Sequence, residues 1–391
     1  MPQTGSDNAA AVAGLIRGAV DVLPAGRLRE QLETDRPLRV KFGMDPTSAD
    51  IHIGHCVVLS KLRAFQDLGH TVVLIVGDYT ARVGDPSGRD GTRPVLSNDQ
   101  IEANAKTYQE QAFKVLDRDR TEIRQNSEWL EMPSAELFEL VRRFTVARLL
   151  ERDDFQRRIE QDQAISALEL LYPVLQGYDS VAVAADVELG ATDQKFNLLF
   201  ARDVQQAFGQ TPQSILTMPI LVGTDGVRKM SKSYDNYVGL TDAPGEMFGR
   251  LMSVPDHVMA DYYLLLLGRE LDRERHPNEA KRMLAHELVS RFHSELEATE
   301  AERRFDAVHK WGEIPADIPS VSLPDGEAAV HMPAFLARTF GVSASEGRRL
   351  LAQGGVKLDG QVVPAEPLDV PASALSGKVI QVGKRRFARI A

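Results

Sequence analysis

Two short stretches carry residues suited to phosphate chemistry. His52-Ile53-Gly54-His55 sets two imidazoles three positions apart around a glycine. Lys229-Met230-Ser231-Lys232-Ser233 sets two lysines three apart, behind the flexible turn Gly223-Thr224-Asp225-Gly226 and ahead of Asn236. The histidines can donate hydrogen bonds to phosphate oxygens, and Gly54, lacking a Cβ, lets a ligand approach the backbone. A helix starting there adds unpaired N–H groups and partial positive charge. The lysines act as point charges that can close over a leaving polyphosphate. Each stretch alone has a plainer reading, capping histidines in one case and a solvated basic loop in the other. Together, in an otherwise acidic body, they have the layout of a nucleotide site. No third ligand stands at a recognisable spacing from the histidines, so no metal centre is expected.

A third group is Tyr172, Gln176 and Asp179, at i, i+4 and i+7 on one helical face and flanked by Leu168, Leu171, Val174 and Leu175. A helix apolar elsewhere is buried, so its polar stripe needs partners. Such converging groups can hold an ammonium ion, with Asp179 supplying charge. A solvent-facing stripe is the alternative, and Pro173 and Gly177 bear on the regularity of the helix. Asp85, in Gly84-Asp85-Pro86-Ser87-Gly88, follows an apolar strand. It therefore falls at the strand's carboxyl end, the edge where ligands bind in open α/β sheets. A plain turn aspartate is the competing reading.

The elements that must position these groups are legible as patterns. Residues 38–44 read as a strand, a turn follows at 45–48, and a helix begins near His55 with Val58, Leu62 and Phe65 on one face. Residues 71–76 form a continuous apolar run, as in a buried parallel strand. Strand, helix and strand at this spacing predict a doubly wound parallel sheet of the α/β class. Residues 98–116 and 134–176 read as helical, 181–185 as a second buried strand, and a helix follows from about Thr192. Residues 215–218 are another strand candidate, and 243 to about 310 read as helical. Three prolines within 312–326 mark a linker. Beyond it, Ser343 with Glu346 forms a capping box, Asp359-Gly360 between VKL and QVV signals a hairpin, and 383–390 supplies another strand.

Composition bounds the rest. At 391 residues, 43% hydrophobic and 26% charged, the chain supports two to three folded domains and excludes wholesale disorder. A single cysteine, Cys56, excludes an intrachain disulfide and a cysteine zinc cluster. With no long apolar run and no secretion signal, a cytoplasmic protein without a membrane span is expected. The net charge of −10 divides unevenly: from His331 onward it is +5, and before it −15. A basic tail suits a polyanionic partner. Its helix and hairpin, bearing Arg348, Arg349 and Lys357, form a candidate RNA-binding surface.

These residues resemble the class I aminoacyl-tRNA synthetases, whose two signatures are HIGH and KMSKS in this order. The wider context is similar to the bacterial tyrosyl-tRNA synthetases in KFGMDPTSADIHIGH (41–55), GDPSG (84–88), NSEWL (126–130), TVARLLERDDF (145–155), LYPVLQGYDS (171–180) and ELGATDQKFNLL (188–199). The resemblance implies a Rossmann-like catalytic domain over 1–242 with a helical dimerisation insertion at about 125–165. An α-helical anticodon-recognition domain over 243–311, a linker over 312–330 and a small α+β S4-like RNA-binding domain over 331–391 complete the chain. It implies that L-tyrosine and ATP, with Mg2+ on the phosphates, give tyrosyl-adenylate and pyrophosphate, and that the tyrosyl group passes to the 3′ end of tRNA(Tyr). A homodimer is expected.

The same resemblance implies residue roles. Thr47, His52, His55, Lys229 and Lys232 would meet the ATP phosphates. Gly43, Asp45, Gly54, Gly190, Asp193, Met230 and Ser231 would line the nucleotide site. Tyr172, Gln176, Asp179 and Gln194 would hold the tyrosine amino group and its neighbourhood, and Asp85 the phenol. Lys41 is placed with them as a tyrosine contact, at the position where many family members have a tyrosine reading the phenol, and the common G-G-[ST]-D-Q run has Ala191 in second place. Three other readings compete: a tryptophan-specific relative, a small-molecule nucleotidyltransferase, and a non-catalytic RNA-binding protein on the same scaffold.

Overall fold

The computed structural model describes residues 5–34, 36–46, 50–87, 97–309, 318–324, 328–383 and 386–391. Thr47 lies outside them. The chain divides into two compact units, Met1–His293 and Ser294–Ala391.

The first unit is built on one sheet. Its strands are β1 (Asp21–Leu23), β2 (Arg39–Met44), β3 (Thr71–Val76), β4 (Thr121–Gln125), β5 (Val187–Ala191) and β6 (Ser214–Met218), in the order β1-β6-β5-β2-β3-β4. All neighbours are parallel except β1, which runs antiparallel to β6 at one edge. β3 is buried from Val72 to Val76, as a strand covered on both faces must be. The chain steps outward from β2 to β3 to β4, then returns to lay β5 on the other side of β2. That reversal opens a crevice at the carboxyl ends of β2 and β5.

The helix Ile53–Asp67 makes the crossover from β2 to β3. It starts at His52 and buries Ile53, Cys56, Val57, Leu59, Leu62 and Phe65. Three antiparallel contacts tie this start to a later segment: His52 bridges Gly239, Ile53 N–H donates to Val238 O at 2.9 Å, and Leu240 N–H donates to Ile51 O at 3.0 Å. The segment after the lysine loop is thus stitched to the histidine turn.

Two expectations need correction. Residues 181–185 are not a strand: the helix Ala167–Ala182 runs into them, and the strand is β5, six residues later. An apolar run does not by itself distinguish the two, and the tertiary partner decides. Val174 and Val181 pack with Phe200 and Val204 of the helix Lys195–Ala207. Gly177 makes that crossing possible, because a Cβ there would stand 2.5 Å from Val204 Cγ2. The long helix over 134–176 is likewise broken, into Ser134–Val141, Val146–Leu149, Asp153–Glu160 and the start of Ala167–Ala182. Thr145 and Ser166 cap new starts, each accepting a backbone N–H at 3.3 Å.

The helices Pro244–Met252, Met259–Leu267 and Pro277–Phe292 complete the first unit, so the division at His293 runs through the 243–311 stretch. No helix among the described residues is long and apolar enough to cross a membrane.

The second unit holds the helix Glu295–His309 and a small α+β module. Its strands are β7 (Ser320–Val321), β8 (Ala329–His331), β9 (Val356–Leu358), β10 (Gln361–Val362), β11 (Asp369–Pro371), β12 (Val379–Val382) and β13 (Arg386–Ile390). Five of them form a sheet in the order β10-β9-β12-β13-β7, and β8 pairs with β11. The stretch read as a linker thus lends β7 and β8 to the module. The helices Met332–Phe340 and Ala344–Ala352 close a core of Phe335, Leu336, Leu351, Val356, Ile380 and Ile390. The expected hairpin is present, with Asp359 and Gly360 both at positive φ (48° and 84°), as its tight turn requires. Ser343 caps its helix by accepting Glu346 N–H at 3.1 Å. The Glu346 carboxylate does not reach back, however, and pairs with Arg349 at 2.7 Å.

Candidate active site

A cleft of about 370 Å³ opens where the fold places it, at the carboxyl ends of β2, β3, β5 and β6. Fourteen of the expected residues line it: Gly43, Asp45, His52, Gly54, His55, Asp85, Tyr172, Gln176, Asp179, Asp193, Gln194, Lys229, Met230 and Ser231. Lys41, Gly190 and Lys232 are not in the lining. Arg348, Arg349 and Lys357 belong to the second unit, where both arginines are exposed and Lys357 is half-buried.

One end of the cleft is built by the histidine turn and the lysine loop. The two imidazoles lie 4.1 Å apart, centroid to centroid. Burial holds both below the ordinary histidine range, and His55 and Lys232 help bring His52 down to about 2. Both rings are therefore neutral hydrogen-bonding groups, not cations. His52 Nδ1 is buried without a partner. Gly54 is what lets that ring fold over the helix start, since a Cβ there would meet Nδ1 at 2.8 Å. Met230 Sδ would lie 3.6 Å from the same Cβ, so the loop reaches the turn.

The loop is held by one side chain that motif reading passed over. Asn236 is buried, accepts Ser231 N–H at 2.8 Å, and donates to Lys229 O at 3.1 Å and Asp225 Oδ2 at 3.0 Å. Gly223 leaves no room for a Cβ beside it. Lys232 leans away from the cleft onto Asp50, which raises its pKa. Asp193 stands at this end too: burial raises its carboxyl while Lys229 opposes and Asp85 adds.

The other end is enclosed by groups from distant segments. Asp179 is 3% exposed. It accepts from Trp129 Nε1 at 2.8 Å and from Asn126 Nδ2 at 3.4 Å. Burial pushes its carboxyl up to about 7, against the pull of Lys41 and these donors, with Glu188 adding. Lys41 is fully buried in an ion pair with Glu188 at 2.8 Å, and donates to Ser180 Oγ at 2.8 Å and Gln176 O at 3.0 Å. It stands behind the Ala167–Ala182 helix and does not face the cleft as a phenol contact would. Gln176 points its Nε2 toward Glu188 at 3.5 Å, leaving Oε1 buried without a donor.

Between the ends, Tyr172 Oη donates to Asp45 Oδ2 at 2.9 Å, and Thr80 Oγ1 donates to Asp45 Oδ1 at 2.8 Å. Asp45, expected beside the nucleotide, is thus committed to Tyr172. Burial, Asp45, Asp85 and Asp179 all raise the Tyr172 hydroxyl, which remains a donor. Asp85 accepts from Gln194 Nε2 at 2.7 Å and from Ser87 N–H at 2.9 Å. Gly43 leaves open space on its strand, whereas a Cβ at Gly190 would meet Leu198 Cδ1 at 3.0 Å, so the glycine admits the following helix. Thr80, Asn126 and Trp129 were not singled out by sequence; the NSEWL stretch was the only signal for the last two.

The amino-acid sequence matches the family model of class I tRNA synthetases (W and Y) over residues 33–310. A tyrosine–tRNA ligase of Bordetella avium is 50% identical over 377 residues, covering 94% of this chain and 91% of its own. Its counterpart in Moorella thermoacetica is 48% identical over 393 residues, covering 96% and 94%. Among solved structures, tyrosyl-tRNA synthetase from Archaeoglobus fulgidus, complexed with L-tyrosine, superposes with a TM-score of 0.61 at 23% identity, over 75% of this chain and 99% of that one. A C-terminally truncated mitochondrial tyrosyl-tRNA synthetase from Aspergillus nidulans gives 0.64 at 21% identity, over 77% and 94%. These two likenesses concern the fold.

Proposed function

The chain belongs to the class I tRNA synthetases (W and Y), and we propose that its cleft activates L-tyrosine with ATP at one end while recognising the side chain at the other. Tyrosine–tRNA ligation is accordingly its activity. A tyrosine carboxylate oxygen attacks the α-phosphorus of ATP and the bond to pyrophosphate breaks; the terminal hydroxyl of tRNA(Tyr) later attacks the tyrosyl carbonyl carbon, losing its proton, and the acyl–phosphate bond breaks to release AMP. The carboxylate is already nucleophilic, so the first step needs no general base. Positioning and charge stabilisation carry it. His52 and His55 donate as neutral rings at the helix start, and Lys229 with Lys232 supplies positive charge. Asp193 is the ribose partner beside them. Mg2+ would be carried on the ATP phosphates and would help neutralise the leaving pyrophosphate; among the described residues no group of three or more His, Cys, Asp or Glu side chains could hold it by itself.

The carrying observation is that two carboxylates of the cleft have different partners. Asp85 accepts from Gln194 and Ser87 and, with Lys229, acts electrostatically on Asp193; Asp179 accepts from Trp129 and Asn126 and feels Lys41 and Glu188. The substrate's ammonium and carboxylate share one carbon, and that carboxylate must face the phosphates. The ammonium therefore falls to Asp85, with Tyr172, Gln194 and Gln176 Oε1 nearby. The phenol, the farthest group, falls to Asp179. This reverses the roles expected for the two aspartates. Lys41 acts on the phenol only through Asp179 and Glu188.

Exposed Phe138, Val146, Ile159 and Leu168 in and beside the 125–165 helices support a homodimer interface there. The helices of 243–311 are read as the anticodon-recognition part. The basic tail, with Arg348, Arg349 and Lys357, is read as an S4-like RNA contact. Reaction with tRNA suits a cytoplasmic protein. Pyrophosphate exchange should depend on tyrosine and not on tryptophan; exchange with tryptophan alone would overturn the substrate. Arg348→Glu should weaken tRNA binding and flatten its salt dependence without changing exchange. An unmoved tRNA affinity would remove the tail from the RNA contact.

A further inference from the structure

Asp85 and Gln194 are set in place by a buried side chain from another segment. We propose that Arg152 is a positioning residue for the substrate ammonium group, acting through Asn197 and Ser87. This rests on the reading that Asp85 receives that ammonium.

Arg152 is 3% exposed and stands at the start of the helix Asp153–Glu160. Asp154 holds its Nε and one terminal nitrogen, each at 3.0 Å. The guanidinium lies 5.0 Å from the Phe155 ring centroid and 5.3 Å from that of Phe196. Its remaining donors point inward, Nη1 to Asn197 Oδ1 at 2.6 Å and Nη2 to Ser87 Oγ at 3.1 Å. Asn197 is fully buried, and its Nδ2 donates to Gln194 Oε1 at 3.0 Å and to Ser87 Oγ at 3.2 Å. Gln194 Nε2 then donates to Asp85 Oδ2 at 2.7 Å, while Ser87 N–H holds Asp85 Oδ1 at 2.9 Å.

The polarity of this chain is determined at both ends. A guanidinium only donates and a carboxylate only accepts. The two amides between them satisfy both ends in one orientation each. Arg152 therefore turns Asn197 so that its amino group meets Gln194, and Gln194 so that its amino group meets Asp85. Asp85 is fixed on both oxygens, leaving its remaining lone pairs for the substrate. The charge of Arg152 also pulls down Asp193 across the same site. A lysine in its place lacks the planar fork that serves Asp154, Asn197 and Ser87 together.

A purely structural role, in which Arg152 only anchors its own helix through Asp154, predicts a different result from one substitution. Asn197→Asp keeps an oxygen for Arg152 but places a second oxygen against Gln194 Oε1, reversing the relay where it matters. Asn197→Asp and Arg152→Lys should each raise KM for tyrosine by about tenfold to a hundredfold, the range for losing a hydrogen bond to a charged group. KM for ATP should hold. Calorimetry with three probes locates the effect. Tyrosine and tyramine, which keep the ammonium, should bind more weakly to the variants, and 3-(4-hydroxyphenyl)propionate, which lacks it, should bind unchanged. Combining either substitution with Gln194→Ala should add little. An unmoved tyrosine KM in Asn197→Asp, or equal weakening of all three probes, overturns the relay. Tyrosine-dependent exchange by the unaltered protein is measured alongside. Its absence would refute the activity itself, whereas its presence with unmoved variants refutes only Arg152's role.

Discussion

The two ends of the cleft solve opposite problems. The end proposed for the phosphates is made of two contiguous motifs, its imidazoles are neutral, and Lys232 rests on Asp50 at the surface. In that reading it waits for a ligand that brings its own negative charge. The end proposed for the amino acid draws on β2, β5, the Ala167–Ala182 helix and the 126–130 segment, and its carboxylate is already held by Trp129 and Asn126. The comparison teaches that transition-state charge can be met by groups recruited late, whereas recognition of a small polar side chain needs partners fixed in advance. A mobile acceptor would find water as readily as it finds a phenol.

The largest effect should come from removing late-recruited charge. Lys232→Ala should slow adenylate formation by about a hundredfold to a thousandfold, the usual loss for one donor aimed at developing charge. Tyrosine affinity should stay the same. Rapid-quench measurement of tyrosyl-adenylate, with equilibrium binding of tyrosine alongside, checks both. Equal loss in both quantities would mean that the ends are not separable.

Asp179→Asn should have the next largest effect, confined to the other end. Tyrosine kcat/KM should fall about tenfold to a hundredfold, while the rate with phenylalanine barely changes, because only tyrosine loses a charged acceptor. Asp85→Asn should weaken both amino acids alike, since both carry the ammonium. The reverse pattern would restore the phenol to Asp85. Tyrosine kcat/KM in the parent should rise with pH through about 7 as Asp179 ionises to accept the phenol proton, and this limb should vanish in Asp179→Asn. Stability should run the other way. The folded carboxyl binds its proton more tightly than the unfolded one, so its stabilising contribution is complete below the unfolded value of 3.8 and is lost as pH rises through about 7. Asp179→Asn should therefore gain on the parent between pH 5 and pH 8, by about 3 kcal/mol for two pKa units of linkage. Urea unfolding at the two pH values measures it. A constant gap would mean that the buried carboxyl is not the group titrating.

The same contrast explains what could be read from sequence. The histidine turn and lysine loop are local, so residue type and spacing carried their meaning. The βαβ core was legible because β3 is an unbroken apolar run and the 53–67 helix keeps its period. Residues 181–185 were misread because Val-Ala-Val-Ala-Ala suits either element, and the deciding contact, Gly177 against Val204, spans two helices. The exchange of roles proposed for Asp85 and Asp179 turns on a related point. A stripe at i, i+4 and i+7 shows that three groups share a face, but not which end of a cleft each one meets. That depends on Trp129, Asn126, Lys41 and Glu188, none adjacent in sequence to Asp179. Lys41 itself, read as a substrate contact, is absorbed by Glu188, a partner that no spacing rule connects to it.

The smallest effect separates charge from the scaffold that presents it. Asn236 touches no substrate in the proposed reading, yet it joins Ser231 N–H, Lys229 O and Asp225 across the loop. Asn236→Ala leaves both lysines in place and removes the joint. If the lysines act from a loop that must move to reach the phosphates, loosening it should raise KM for ATP about fivefold to tenfold and lower kcat less than Lys232→Ala does, consistent with about 1 kcal/mol per neutral hydrogen bond. Tyrosine KM should not move, because no bond of Asn236 reaches the amino-acid end. Steady-state exchange with each substrate varied in turn distinguishes the outcomes. A loss as large as that of Lys232→Ala would mean that the loop works only from one fixed pose, making the phosphate end as prearranged as the other and removing the contrast between them.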